Sequence, residues 1–305
     1  MPAHYSLRCL SCNPRGVLIR SFAAGANLPH QRKCKGKLLS AIVVIGTTMV
    51  VHGGAATYPP PPDTRSIVAR SVAANDEDWA AAPGYDFTER DRDAGGTKTF
   101  QVMMILGSPY YRPVASNGRS LTALKSAEEQ QRLESTTARR QAESPQETAR
   151  RIAQYRKDRE GDHLLMSQLT DAFDFVFLRQ QKLGPHRVYV LKATPRPDYR
   201  PPNLETEVLT GMEGTLWIDT KTFQWVKVEA HVVHPVSIAG FLARVEPGTF
   251  FQLEEAPVGG EIWLPSHFVM RSRAKILFAF RHNTQADETY FDYRLAAPSH
   301  QTRQD

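Results

Sequence analysis

The sequence predicts an α+β protein built on one curved, largely antiparallel sheet that is covered by helices and carries a charged helical insertion. Three observations predict it. From 171 to 293 apolar and polar residues alternate in run after run, separated by turns rich in Gly and Pro. An amphipathic stretch at 64–81 precedes the first alternating run. Between the early and late runs, 120–162 is rich in Glu, Gln, Arg and Ala and has no aromatic residue except Tyr155. A sheet that is apolar on one face must bury that face against other elements, and helices are the covers this sequence supplies.

The elements follow in order. Asp63 or Thr64 caps a helix at 64–81, because a short oxygen-bearing side chain satisfies the first free amides. Ile67, Val68, Val72 and Trp79 give it an apolar stripe, and Pro83-Gly84 ends it. Tyr85 and Phe87, then Phe100, Val102, Met104 and Leu106 after Gly95-Gly96, read as a hairpin with one apolar face. The insertion at 120–162 reads as two helices divided at Ser144-Pro145, with Ser144 as cap and Pro145 in the first helical position.

Strands resume with Phe173, Phe175 and Phe177 on one face, then 188–191 after the turn at Gly184-Pro185. A proline-rich loop at 195–202 leads to a hairpin of 215–219 and 223–233 around Thr220-Lys221. A short run at 250–253 and the turn at Gly259-Gly260 come next. Phe268, Met270, Ala274, Ile276, Phe278 and Phe280 then share one face of a single long strand, with Arg271, Arg273 and Lys275 on the other. A run at 290–294 closes the series and 296–305 reads as a loose tail. The segment 235–247, with Ile238, Phe241, Leu242 and Val245, reads either as a core plug or as a lid over a lipid-binding cavity.

Charge sets the class of partner. The first 56 residues hold seven basic side chains and no acidic one, more than the whole formal charge of +6. Without them 31 basic residues face 32 acidic ones, and the basic balance that would call for nucleic acid disappears. In the insertion Glu128, Glu129, Glu134, Glu143 and Glu147 offset the arginines, which marks a solvated surface and not a nucleic-acid surface.

The basic segment reads as a leader. Lys33, Lys35 and Lys37 precede an apolar run at 38–51, and Gly53-Gly54-Ala55-Ala56 offers small residues for cleavage after Ala55 or Ala56. The thirty residues ahead of the lysines read as an overlong start. The alternative is a retained single-span anchor at about 38–55, for which the run is short against the ~20 apolar residues of a bilayer crossing. Cleavage makes the chain periplasmic or secreted, with only transient membrane contact. All three cysteines, Cys9, Cys12 and Cys34, lie in this leader, so the mature chain has no thiol. A stiff proline-rich linker at 57–63 separates it from a single domain at 64–295.

Catalytic signals are weak. His231 and His234 lie three apart on a strand and so point to opposite faces, as do Glu254 and Glu255. Asp91 and Asp93 adjoin a Gly-Gly turn, and no nucleophile elbow, phosphate loop or zinc-protease motif is present. The expectation is a protein with no catalytic residues, no metal and no cofactor.

The motif Gly214-Thr215-Leu216-Trp217-Ile218-Asp219 and the later Gly260-Glu261-Ile262-Trp263-Leu264-Pro265, set behind a leader and a helix, resemble the periplasmic lipoprotein-carrier superfamily of LolA, LolB and outer-membrane lipoprotein-sorting proteins. The resemblance runs over about 64–293, with a longer helical insertion than compact carriers have. These motifs are structural: Trp217 packs and Asp219 holds a turn. The resemblance implies an incomplete β-barrel with helices in its mouth that holds a lipid or lipoprotein acyl chain in an apolar cavity. The carriers' gating arginine has no clear counterpart, Arg244 being a bare candidate.

Two functions follow. The first is a non-catalytic envelope protein that binds such an acyl chain, with Phe100, Met104, Phe175, Ile238, Phe241, Leu242, Phe268, Met270 and Phe278 as candidate lining. The second is an envelope scaffold that binds a protein partner through the charged helical arm over a packed sheet. A cavity of several hundred Å³ favours the first and a dry core the second.

Overall fold

The computed structural model describes residues 63–238, 243–276 and 280–297. The leader at 1–56, the linker up to residue 62, the end of the tail, and Phe241, Leu242 and Phe278 lie outside the described residues. No helix among the described residues is long and apolar enough to cross a membrane.

Helix α1 (Thr64–Ala81) begins where Asp63 accepts a hydrogen bond from the Arg65 backbone N–H at 3.2 Å, and a short 3-10 turn at Ala82–Gly84 ends it. Strands β1 (Tyr85–Asp93), β2 (Gly96–Ile105), β3 (Ser108–Ser116) and β4 (Arg119–Ser120) then form a meander. Helices α2 (Ala123–Gln141) and α3 (Pro145–Ser167) follow, with a single turn α4 (Leu169–Ala172). The start of α3 is fixed by a capping box, in which Ser144 and Glu147 satisfy each other's backbone amides.

The remaining strands are β5 (Phe173–Leu183), β6 (His186–Pro195), β7 (Met212–Asp219), β8 (Trp225–Val232), β9 (Val236–Ile238), β10 (Ala243–Val245), β11 (Phe250–Val258), β12 (Ile262–Ile276) and β13 (Phe280–Leu295). All strands belong to one sheet, ordered β4-β3-β2-β1-β13-β12-β11-β8-β7-β6-β5, with every pairing antiparallel. The last strand joins the two halves by pairing with both β1 and β12. Strands β4 and β5 stand at the two ends, so the sheet is not closed.

One expectation is corrected. The apolar alternation through Ile276, Phe278 and Phe280 belongs to two strands and not one: β12 ends at Ile276, and Phe280 opens β13 directly opposite it. Residues 277–279 include no Gly or Pro, so the alternation runs on in the sequence past Ile276 and carries no signal for the end of β12.

Register places the core. Phe177, Leu191, Leu216, Val228, Leu253 and Phe268 are successive partners across β5, β6, β7, β8, β11 and β12, and make one continuous apolar row. Leu191, Leu216, Val228 and Leu253 are buried, each contributing roughly 1.5–3 kcal/mol of hydrophobic stabilisation. Helix α1 supplies Ile67 and Val68 to the same core, and α3 and α4 bring Leu165, Met166 and Leu169 against it. The described ends of 235–247 pair as β9 and β10, and Val236, Ile238, Ala243 and Val245 are all buried in that core.

The helical arm is pinned to the β2–β3 turn, where Leu106 and Gly107 have φ of 49° and 84°. Arg140 donates to the carbonyls of Ile105, Ser108 and Pro109, and burial lowers its pKa to about 10. Arg151 donates to the Leu106 carbonyl and the Ser108 hydroxyl, and pairs with Glu143 at 2.7 Å. Arg151→Ala strips the turn and Glu143 of these partners at once. It is expected to cost about 1–3 kcal/mol in urea unfolding and to raise amide exchange in α3 and the turn.

Candidate functional site

The inward stripe of α1 is apolar only at its start. Ile67 and Val68 lead to Ser71, Asn75 and Asp78, all buried, spaced three and four apart along one face. Beyond the apolar anchor the helix therefore turns polar side chains toward the sheet, and there a cavity opens.

The cavity has a volume of about 110 Å³. Its walls are α1, through Asn75, Asp78 and Trp79, and the last turns of α3, through Gly161, His163, Leu165 and Met166. Its floor is the sheet: Phe251, Leu253 and Glu255 from β11, Trp263, Leu264, Pro265 and Phe268 from β12, and Tyr290 from β13. Phe251 and Phe268 meet edge to face at 5.4 Å between centroids. The lining is mostly apolar with a few polar groups gathered at one side, the pattern of small-ligand sites.

Those polar groups are held as follows. Asp78 is 3% exposed; its Oδ1 accepts from the Trp263 backbone N–H at 3.0 Å, and the Gln224 side chain also hydrogen-bonds the carboxylate. Burial raises its pKa to about 6, against the lowering effect of the Trp263 amide and the Gln224 side chain. Asn75 donates to Glu255 at 3.4 Å. The beta-bulge between Glu254 and Glu255 separates their roles: Glu255 is buried toward α1, and Glu254 lies 3.7 Å from Lys227.

At the rim α1 and α3 are tied together. Trp79 stacks on His163 at 4.6 Å, and His163 Nε2 lies 2.8 Å from Asp76. Arg159 donates to the Trp79 carbonyl and lies over the Trp79 ring at 4.3 Å. Tryptophan Nε1 of residue 79 and His163 Nδ1 are buried without a protein hydrogen-bond partner. A second cavity of about 80 Å³ adjoins, sharing Ala82, Leu264, Pro265 and Tyr290 with the first, and is lined by Met104, Glu89, Arg159 and several tyrosines.

Of the residues expected from sequence, Phe268 lines the first cavity and Met104 the second. Phe175 and Ile238 belong to the main core, Phe100 and Met270 are buried, and none of these four lines either cavity. Arg244 is half-exposed and faces Glu246 at 3.7 Å, away from both cavities. Trp217 packs beside Val188, Val190, Val226 and Trp263, and Asp219 accepts from the amides of Lys221 and Thr222, holding its turn. Sequence reasoning missed Asn75, Asp78 and His163, and weighed Glu255 only as half of a pair with Glu254. The signal for the first two was present: they continue the helical stripe begun by Ile67 and Val68.

No protein-family model matches the chain, and no curated protein matches it in sequence. Among solved structures the chain is similar to a domain of an outer membrane lipoprotein-sorting protein from Vibrio parahaemolyticus, at 12% identity over 76% of this chain and 94% of that one, with a TM-score of 0.31. It is similar to a chain of the MucA/MucB complex of Pseudomonas aeruginosa, at 11% identity over 76% of this chain and 99% of that one, with a TM-score of 0.22. A LolA superfamily protein from Nitrosomonas europaea is also similar, at 12% identity over 76% of this chain and 93% of that one, with a TM-score of 0.28. The solved structures that this chain resembles thus include lipoprotein-sorting and LolA-superfamily folds.

Proposed function

We propose that this chain is a non-catalytic protein of the cell envelope, exported by its leader, that takes an acyl chain of a lipid or lipoprotein into the cavity between α1, α3 and the sheet. The observation that carries this reading is the cavity itself: an apolar floor on an unclosed sheet, roofed by two helices. At about 110 Å³ it is smaller than the roughly 300–1,000 Å³ of sites that enclose a whole small molecule. Loading therefore requires the last turns of α3 to move outward. Opening exchanges the polar links at the rim, Asp76 with His163 and Arg159 with the Trp79 carbonyl, for water and lifts Leu165 and Met166 from the core.

Two of the four tryptophans, Trp79 and Trp263, line the cavity and report on its contents. A brominated fatty acyl chain is expected to quench tryptophan fluorescence saturably, and most of the quenching disappears when Trp79→Phe and Trp263→Phe are combined. Quenching that survives the double substitution, or none at all, counts against this site and moves the weight to a partner-binding role for the helical arm.

A further inference from the structure

We propose that the second cavity, beside the acyl site, is an aromatic cage for the quaternary ammonium of a zwitterionic lipid head whose phosphate rests on Arg159. The proposal rests on the acyl-binding reading and adds the chemistry of the head. Six aromatic residues, Tyr85, Phe87, Tyr111, Tyr155, Tyr290 and Tyr293, line this one cavity of about 80 Å³. All but Tyr290 are partly exposed, so the rings border open space and are not sealed in a core. One water needs roughly 10–15 Å³, which leaves room for about five atoms of that size, enough for a trimethylammonium group.

The backbone brings these rings together. Tyr111, Val102 and Phe87 are successive partners across β3, β2 and β1. Phe87 sits at the β1–β13 bulge, where its ring centroid lies 5.3 Å from Tyr293 and 5.9 Å from Tyr290. Tyr155 faces them from α3, with the Arg159 guanidinium 5.7 Å from its ring. Charge behind the rings sets the sign of the head. Glu89 lines the cavity and hydrogen-bonds Asp91, which stands opposite Glu288 on β13 and Lys98 on β2. Even with a proton shared between Glu89 and Asp91, the three carboxyl groups outweigh Lys98. The Tyr290 hydroxyl donates to Glu288, which enriches its ring in electrons. Aromatic faces backed by negative charge attract a cation. A primary ammonium would bring three N–H donors that lose water on entry, whereas a trimethylammonium meets the rings with methyl surface and gives up no hydrogen bond.

Arg159 makes the head a zwitterion. A bare cation would be repelled by its guanidinium, which lines the same cavity, while a phosphate beside the cation pairs with it. Arg159 also lies over the Trp79 ring of the first cavity at 4.3 Å, and the two cavities meet at Leu264, Pro265 and Tyr290. The order of sites is then ammonium, phosphate, acyl chain, which is the order within a choline phospholipid.

The test titrates lauroyl-lysophosphatidylcholine, lauroyl-lysophosphatidylglycerol and free phosphocholine into the delipidated full chain by calorimetry, below micelle-forming concentrations. The choline lysolipid is expected to bind at least about tenfold more tightly than the glycerol one, the discrimination of a desolvated cation–π site. Phe87→Leu and, separately, Tyr155→Leu exchange a ring for an aliphatic side chain. Each removes most of that lead and leaves the glycerol lysolipid's affinity unchanged, in protein whose circular dichroism is that of the wild type. A lead that survives both substitutions overturns the cage. Equal affinities for the two lysolipids overturn the head assignment while the acyl reading stands. Uptake of free phosphocholine with neither lysolipid bound keeps the cage but overturns the lipid source and the acyl reading. Binding of none of the three by folded protein removes the acyl reading and the head assignment together.

Discussion

Trp225→Ala is expected to remove about 3–5 kcal/mol of unfolding free energy, the largest loss from any single substitution considered. Trp225 opens β8, is 2% exposed, and packs in the main core where the Ile218–Trp225 pairing closes the β7–β8 hairpin. Alanine leaves a void among side chains fixed by the sheet on one side and by helices on the other, so collapse around it is limited. The indole nitrogen has no protein partner, so the nitrogen is not what the core needs. Trp225→Phe is accordingly expected to cost far less, under about 1.5 kcal/mol, because it loses volume but no hydrogen bond. Urea unfolding followed by circular dichroism separates the two. Equal losses for Phe and Ala would show that the ring's packing is not the source.

Asp78→Asn is expected to stabilise the protein at pH 7.5, on the order of 1–3 kcal/mol, and to leave it unchanged near pH 4. Burial raises this carboxyl from its ordinary value of 3.8 to about 6, with Glu77 adding to the rise. The folded state thus holds the proton more tightly than the unfolded chain. The stability contributed by the protonated form is complete below about pH 3.8 and is lost as pH rises through about 6. Asparagine stays neutral throughout and keeps an oxygen for the Trp263 amide, so the variant and the wild type diverge as pH rises through that window and differ by a constant amount above it. Asp91 is also raised by burial, but it titrates in both proteins and cancels in the difference. A variant less stable than wild type at pH 7.5 would contradict this. A gain in stability on removing the charge is the pattern of a buried group kept at a cost to the fold.

Much of the fold was legible because its signals are local. The cap at Asp63, the Pro83-Gly84 stop and the Ser144-Pro145 start define helix ends by hydrogen-bond chemistry that needs no tertiary context. Period-two alternation marked β1, β2, β5, β6, β7 and β8. Strand β3 is harder to read, since Pro109 and Pro113 and three tandem aromatic and basic residues, Tyr110, Tyr111 and Arg112, break any alternation, as a near-edge strand tolerates. The end of β12 was illegible for the opposite reason, an apolar alternation in the sequence that continues past Ile276.

The cavity was only partly legible. Phe268 faces it because a strand residue's face follows from parity alone. Asp78 and Asn75 did not register, because a search for apolar periodicity passes over polar residues on the inner face of a helix, and Glu255 was weighed only as half of a pair with Glu254. His163 lies one residue beyond the insertion at 120–162 that reads as solvated, and only packing of the last turns of α3 against α1 brings it to the site. Which helix covers which part of a sheet is a tertiary fact with no local signal.

Native mass spectrometry of the full chain, expressed for export and released from the envelope without detergent, tests the central claim most directly. The account predicts a stoichiometric acyl-bearing adduct that is lost when Phe268, on the cavity floor, is replaced by a bulky polar residue in a protein that remains folded. A clean apo mass that takes up neither added fatty acid nor lipopeptide would contradict it.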